Sequence, residues 1–413
     1  MQRILIVEDN KALAKLISLK MQAELNFEID IAYTLQEAKL FIKKYTYFLA
    51  LLDLNLPDAP NGEIVDYALE NSIRPIVLSG IVNKAIRKQL MQKDIIDYIH
   101  KDGIESIEYI ISTIMRLYQN QQYKVLVVDD SMLFRHKMQK LIQNMFFQVY
   151  TVAHGEEALG MLHTHPDIKI IITDHFMPVM DGLELTKEIR KTYSKNDLGI
   201  IAISSNQDEE ITALFLKNGA NDYLYKPFSK EEFTCRLNNT IEALENIEKI
   251  TNHANRDFLT GVYNRRYFYA NSEEYFQEAK ERGENFGIAM IDIDNFKNIN
   301  DTYGHDAGDK VIVTLSQILT TSVDAKDIVA RFGGEEFCIV LKDMPQNAIK
   351  EKCEFIRKKV TKTSIKIHDT LLTFTVSIGV ASSPEDTLEE SINTADMYLY
   401  NAKNSGKNRV VSS

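Results

Sequence analysis

A chain of 413 residues has room for two to four domains, because a single hydrophobic core seldom grows past ~250–300 residues. With 45% hydrophobic and 26% charged residues it has globular proportions, and no apolar run approaches the ~18 residues that a membrane helix needs. A net charge of −11 argues against non-specific nucleic-acid binding, which rests on basic patches. The chain enters a strand at once, without a signal peptide, and Cys235, Cys338 and Cys353 lack metal spacing, so a cytoplasmic location with reduced thiols is expected.

Residues 1–118 read as one α/β unit. Ile4-Leu5-Ile6-Val7 suits a buried parallel strand and ends in Glu8-Asp9, and a helix follows with Leu13, Leu16, Ile17 and Met21 on one face. The pattern repeats: Phe48–Leu52 ends at Asp53, Ile76–Leu78 at Ser79, and Tyr98–His100 at Lys101. Alternating strands and helices predict a doubly wound parallel sheet, whose ligands gather at the carboxyl ends of the strands.

Residues 124–245 repeat that unit. Asp9 and Asp130, like Asp53 and Asp174, lie 121 positions apart; Ser79 and Ser204, Tyr98 and Tyr223, and Lys101 and Lys226 lie 125 apart. A constant offset that slips by four means two copies with a short insertion in the second. The joining segment, Gln119-Asn120-Gln121-Gln122, is short, so the copies are expected to be close neighbours.

Both copies resemble the receiver domain of response regulators, a flavodoxin-like (CheY-like) fold. The resemblance implies aspartyl phosphorylation at Asp53 and Asp174. It implies Mg²⁺ held by Glu8, Asp9, Asp53 and the Asn55 carbonyl in the first copy, and by Asp129, Asp130, Asp174 and the Phe176 carbonyl in the second. Ser79, Tyr98 and Lys101, and likewise Ser204, Tyr223 and Lys226, become the switch residues. Receivers usually have proline after the lysine; Lys226-Pro227 keeps it, but Asp102 follows Lys101. Lys101 is therefore expected to sit differently.

From 229 to 256, Phe233, Leu237, Thr240, Leu244, Ile247, Thr251 and Ala254 alternate in steps of four and three. That is a heptad seam suited to a dimer stalk, with a helix packed on its own domain as the alternative.

Residues 257–413 follow another order. A helix over about 267–281 leads to Ala289–Ile291 and the acids Asp292 and Asp294; a helix over 306–319 precedes a β-hairpin around Gly333-Gly334. The glycines are expected to form its tight turn, with Glu335 and Glu336 on the strand leaving it. A helix over about 348–360, one strand over 373–380 and a last helix over 388–403 complete an α+β unit. Acids at neighbouring strand ends suit hard cations and two-metal phosphoryl or nucleotidyl transfer.

Arg331-Phe332-Gly333-Gly334-Glu335-Glu336-Phe337 resembles the signature of the GGDEF family, the diguanylate cyclases. Asp257–Arg266, Asp292–Asp301, Gly304–Asp309 and Ala395–Asn408 resemble its other segments. The resemblance implies a nucleotidyl-cyclase, palm-like fold with Asp292, Glu335 and the Ile293 carbonyl on Mg²⁺ or Mn²⁺, and Glu336 near the ribose hydroxyl. Asn300 and Asp309 would read guanine. Phe296 and Lys297 would lie against the GTP phosphates, with Gly333 and Gly334 admitting the substrate and Lys403 and Lys407 adding positive charge. Many members bind product at Arg-x-x-Asp; here the segment is Asp324-Ala325-Lys326-Asp327, an anion where the guanidinium should stand.

The whole resembles response-regulator diguanylate cyclases with receiver–receiver–GGDEF architecture, over residues 1–118, 124–245 and 257–413. That implies two GTP joined into cyclic di-GMP with release of two pyrophosphates, a homodimer for catalysis, and a histidine kinase or phosphotransfer protein as phosphodonor. The rival is a nucleotide-binding GGDEF effector without catalysis, whose receivers act as a scaffold.

Overall fold

A computed structural model of the chain describes residues 2–24, 27–80, 84–205, 209–367, 370–382 and 386–412. The chain divides into two compact units, Met1–Asn246 and Ile247–Ser413.

The first unit holds both copies. Strands Arg3–Val7, Glu28–Ala32, Leu49–Asp53, Pro75–Ser79 and Asp97–His100 form a parallel sheet in the order 2-1-3-4-5. Strands Lys124–Val128, Gln148–Val152, Ile168–Asp174, Gly199–Ser204 and Asp222–Tyr225 form a second sheet in the same order. Ile4 to Val7 and Leu49 to Leu52 are completely buried, as strands covered by helices on both faces must be. In the first helix, Lys11–Glu24, the buried stripe is Ala14, Ile17, Ser18 and Met21. Leu16, expected on that face, is instead exposed, because the stripe is centred one residue further round.

The copies share a core. One continuous apolar cluster runs from Ile4 and Ile6 through Ile107, Ile110 and Ile114 to Val125, Met138, Phe233 and Leu244. Phe48 and Phe146 meet across the joint with ring centroids 4.2 Å apart. Beside them Arg116 grips Glu245 at 2.6 and 2.8 Å, while Tyr123 donates to the same carboxylate at 2.7 Å.

The helix Lys230–Asn255 has 26 residues and spans about 39 Å. Phe233, Leu237, Thr240 and Leu244, the first half of the heptad seam, are buried with Ile241 in the receiver's own core. Over those residues the own-domain alternative holds rather than a stalk, because the fifth position of a receiver fold needs a helix against its sheet. Beyond Asn246, Thr251 is exposed and Ile247 and Ala254 are half-buried.

The second unit is built on a mixed six-stranded sheet. Its central strand, Phe286–Ile293, is buried throughout and pairs antiparallel with Glu336–Lys342 on one side and Val376–Ala381 on the other. Ile328–Gly333 closes the hairpin, and short parallel strands Tyr263–Asn264 and Val410–Ser412 form the edges. The strand expected over 373–380 is two pieces. Thr370–Thr373 belongs to a separate two-stranded sheet with Ser364–Ile367, and Val376–Ala381 belongs to the main one. The break falls where the Thr375 carbonyl leaves the ladder to accept the Asp294 amide at 2.9 Å.

The last helix, Leu388–Asn404, opens with a capping box between Thr387 and Glu390. It lies directly on Val376–Ala381: a Cβ at Gly379 would stand 2.1 Å from the Ala395 carbonyl. That close approach carries the helix end, with Lys403, to the acidic edge of the sheet.

Candidate functional site

In each receiver the acids converge at the carboxyl edge of the sheet, and a lysine lies among them. Lys101 Nζ sits 2.6 Å from Glu8 and 2.8 Å from Asp53; Lys226 Nζ sits 2.9 Å from Asp129 and 2.6 Å from Asp174. The expectation that Asp102 displaces Lys101 is therefore corrected. The lysine amides donate alike to the Ser79 and Ser204 carbonyls, at 2.9 and 2.8 Å, so strand pairing fixes the backbone. The two carboxylates, 1% and 4% exposed as residues Glu8 and Asp53, then draw in the ammonium whatever residue follows.

Among the described residues, Glu8, Asp9 and Asp53 are the only trio of acids, imidazoles or thiols whose ligand atoms lie within 4.8 Å of one another. Asp129 is buried and Asp130 exposed. Burial pushes the Glu8 carboxyl above its ordinary pKa against the pull of Lys101, and burial raises Asp174 against the pull of Lys226. The Asn55 and Phe176 amides donate to Asp53 and Asp174 at 3.2 and 3.1 Å, which brings these loops round the acids. A Cβ at Gly182 would come 2.1 Å from the Asp174 carbonyl, so only glycine lets the next helix start so close. Ser79, Tyr98, Ser204 and Tyr223 are all turned inward and buried.

In the second unit, Asp292 is 5% exposed and lies opposite Glu336 on one neighbouring strand and Ser377 on the other. Lys403 Nζ reaches it at 2.8 Å. Burial raises the Asp292 pKa to about 6; Lys403 opposes the rise, while the nearby charges of Glu335 and Glu336 add to it. A half-buried acid edge of this kind suits a hard cation, and the Ile293 carbonyl adjoins it. Lys403, expected to add positive charge beside the phosphates, rests on this acid, because a buried carboxylate takes the nearest ammonium.

The hairpin turn falls one residue later than expected. A bulge between Arg331 and Gly333 pairs Gly333 with Glu336, so Gly334 (φ +49°) and Glu335 form the turn, and only Glu336 begins a strand. Glu335 thus stands at the tip. Arg331, a residue for which sequence suggested no role, fixes that tip: its guanidinium donates to the Gly334 carbonyl at 2.8 and 2.9 Å and to Asp257 at 2.9 and 3.2 Å. Burial alone would raise Asp257, but hydrogen bonds from Thr260 and Arg331 outweigh it and hold the carboxyl below its ordinary range.

Asn300 closes the other side. Its Oδ1 is buried and no described residue donates to it. A Cβ at Gly308 would stand 1.9 Å from that oxygen and 3.1 Å from the Phe296 ring, so the Gly304–Asp309 segment needs glycine there. Asp309 and Lys297 are exposed, Phe296 is half-buried, and Lys407 is hydrogen-bonded to Asn295. Lys326 is ion-paired with Asp343 at 3.0 Å, and buried Asp327 accepts the Asp324 and Lys342 amides at 2.9 Å each.

Two family models match these regions. Residues 254–409 match the diguanylate cyclase GGDEF domain, and residues 125–238 match the response regulator receiver domain. The chain is 25% identical over 451 aligned positions to the response regulator PleD of Caulobacter vibrioides (strain NA1000 / CB15N), covering 99% of this chain and 98% of that protein. It is 37% identical over 179 positions to the diguanylate cyclase DgcM of Escherichia coli (strain K12), covering 43% of each. A solved structure described as a two-component system response regulator/GGDEF domain protein is 38% identical, with a TM-score of 0.54, over 59% of this chain and 100% of that one.

Parallel-sheet receivers ahead of a mixed-sheet GGDEF unit define a response regulator with a cyclase-type output domain. The chain belongs to the PleD-like response-regulator diguanylate cyclases. Among the described residues, no helix is long and apolar enough to cross a membrane.

Proposed function

We propose that the chain condenses two GTP molecules into cyclic di-GMP under the control of receiver phosphorylation. The observation that carries this reading is the acid edge itself: Asp292, raised by burial and by Glu335 and Glu336, at the foot of a hairpin braced by Arg331. An edge no longer used for catalysis has no need to keep three acids in mutual repulsion.

GGDEF diguanylate cyclases use divalent metal ions. Here Asp292, the Ile293 carbonyl and Glu335 would hold Mg²⁺, which when bound neutralises triphosphate charge. Asn300 Oδ1 and Asp309 accept the N1–H and amino group of guanine, an edge adenine lacks; the unpartnered Asn300 oxygen supports this. Phe296 and Lys297 lie along the phosphates, Lys403 and Lys407 add positive charge there, and Gly333-Gly334 leave room at the hairpin. Glu336 takes the proton from the 3′-hydroxyl as its oxygen bonds to the partner nucleotide's α-phosphorus and the bond to pyrophosphate breaks. Two such transfers close the ring. One unit holds one GTP, so two chains face each other, and a cytoplasmic histidine kinase or phosphotransfer protein supplies the phosphoryl group to Asp53 or Asp174.

Purified protein with GTP and Mg²⁺, its products resolved by chromatography, tests this. Cyclic di-GMP and pyrophosphate in a 1:2 ratio, with ATP untouched, is the expected result. Bound but unconsumed GTP would overturn it.

A further inference from the structure

Asp294 has been given no part in holding substrate or ion, yet it is 5% exposed and fully engaged. It accepts from Thr375 Oγ1 at 2.7 Å, from Ser377 Oγ at 2.6 Å and from the Asn408 amide at 2.9 Å. The last bond reaches 114 residues along the chain.

Asn408 ends an unusual turn. Gly406, Lys407 and Asn408 have φ of +112°, +61° and +46° in succession. Left-handed backbone at residues with side chains persists only where the surroundings over-determine it. Here they do. The Lys407 amide donates to the Ala402 carbonyl at 3.0 Å, and the Asn408 side-chain oxygen accepts from Arg357 at 2.8 Å and Thr361 at 3.2 Å. Asp294 holds the same turn from the sheet side. So held, the turn sets the Lys407 ammonium on the side-chain oxygen of Asn295, itself left-handed at φ +57° and immediately before Phe296 and Lys297.

We propose that Asp294 is a positioning residue that clamps the 406–408 turn and thereby fixes Lys407 at the mouth of the nucleotide site, where it meets the substrate phosphates. This rests on the reading of that site as one for GTP. The clamp works by hydrogen bonding and needs no charge. Ser377 and Thr375 hydroxyls can donate or accept, so an amide in place of the carboxylate can still serve them, whereas the Asn408 N–H must find an acceptor.

The full chain with GTP and Mg²⁺ supplies the test. Asp294→Ala is expected to raise KM for GTP roughly tenfold with kcat within about threefold, the effect of one lost charge-assisted contact. Lys407→Ala should match it, and the double variant should be no worse than either, since both remove one interaction. Asp294→Asn should restore KM to within about threefold of wild type. An Asn variant as impaired as the Ala variant, or losses that multiply in the double variant, would overturn the clamp. Lys407→Ala leaves the buried acid in place, so it keeps the test open if Asp294→Ala does not fold; a wild-type KM there also overturns the proposal. Amide hydrogen exchange at Asn408 needs no turnover. It should accelerate in Asp294→Ala and not in Asp294→Asn. A wild-type chain that makes no product would sink the cyclase reading while this exchange still decided the clamp; unchanged exchange in Asp294→Ala would sink the clamp in an active enzyme.

Discussion

The receivers and the GGDEF unit both set a lysine on a buried aspartate, but they do so differently. Lys101 and Lys226 each bridge two acids on one sheet edge, whereas Lys403 rests on Asp292 alone. In the first receiver the acids already lie within ligand distance of one another. In the GGDEF unit Glu335 comes from a hairpin tip braced through Arg331. The receiver acids gather within a single fold, whereas the GGDEF edge, on the cyclase reading proposed above, would be completed by its substrate and a second chain.

If that contrast holds, removing acids should hurt the two sites unequally. Asp292→Ala or Glu335→Ala is expected to cut cyclic di-GMP synthesis by roughly 10³-fold or more, ~4 kcal/mol of transition-state stabilisation, with folding intact. Product formation by either variant near the wild-type rate would erase the distinction.

The next largest effect concerns pH. The Asp292 pKa is raised to about 6, so its stabilising contribution is full below the ordinary carboxylate range and is lost as pH rises through about 6. Without divalent ions, the second unit should lose about 1.4 kcal/mol through this group between pH 5 and 7.5. Asp292→Asn should flatten that slope, and Mg²⁺ should offset it in the wild type. Thermal unfolding at the two pH values measures both; an equal slope in Asp292→Asn would remove the assignment.

Beryllofluoride, standing in for a phosphoryl group, should raise activity by roughly tenfold, within the usual range of allosteric coupling. Asp53→Asn and Asp174→Asn, assayed separately, show which receiver carries the response. Because Lys101 and Lys226 are seated alike, both receivers should accept the ligand; a response that survives both substitutions would mean the receivers are not the switch.

The smallest effect lies with product. Asp324 stands where a phosphate-gripping arginine would, and Lys326 is tied to Asp343. Little inhibition by micromolar cyclic di-GMP is therefore expected in progress curves. Asp324→Arg should tighten product binding about tenfold, the value of one charge-assisted hydrogen bond. Strong inhibition of the wild type, unchanged by Lys326→Ala, would place product elsewhere.

Much of this was legible in the sequence. The offset between Asp53 and Asp174 exposed the repeat, and apolar strands ending in acids located each site on its sheet edge. What the sequence hid depends on contacts between distant residues. Asp294 and Asn408 meet across 114 residues, and nothing in the local pattern of either announces the other. Gly182, Gly308 and Gly379 each make room for a close approach that only coordinates reveal. The bulge before Gly333 moved Glu335 to the turn, and a seam at Phe233, Leu237 and Leu244 served a receiver's own core, since helical spacing does not say which surface covers it. Lys101 keeps its seat without the proline because two buried carboxylates outweigh the local backbone preference at Asp102.

The core shared by the receivers has a consequence during synthesis. The first copy leaves the ribosome with Phe48, Arg116 and Asn120 unpartnered at the joint, and the groups they meet there, Phe146, Glu245 and the Met145 carbonyl, all belong to the second copy. Glu245 lies 129 residues beyond Arg116, so the early copy waits with that side of the joint unmade, the kind of surface that invites misassembly. The two copies are joined by packed side chains as well as by their short linker. A polypeptide cut at Asn120 would end in the middle of a core, and cooperative unfolding of the pair as one body follows from the same joint.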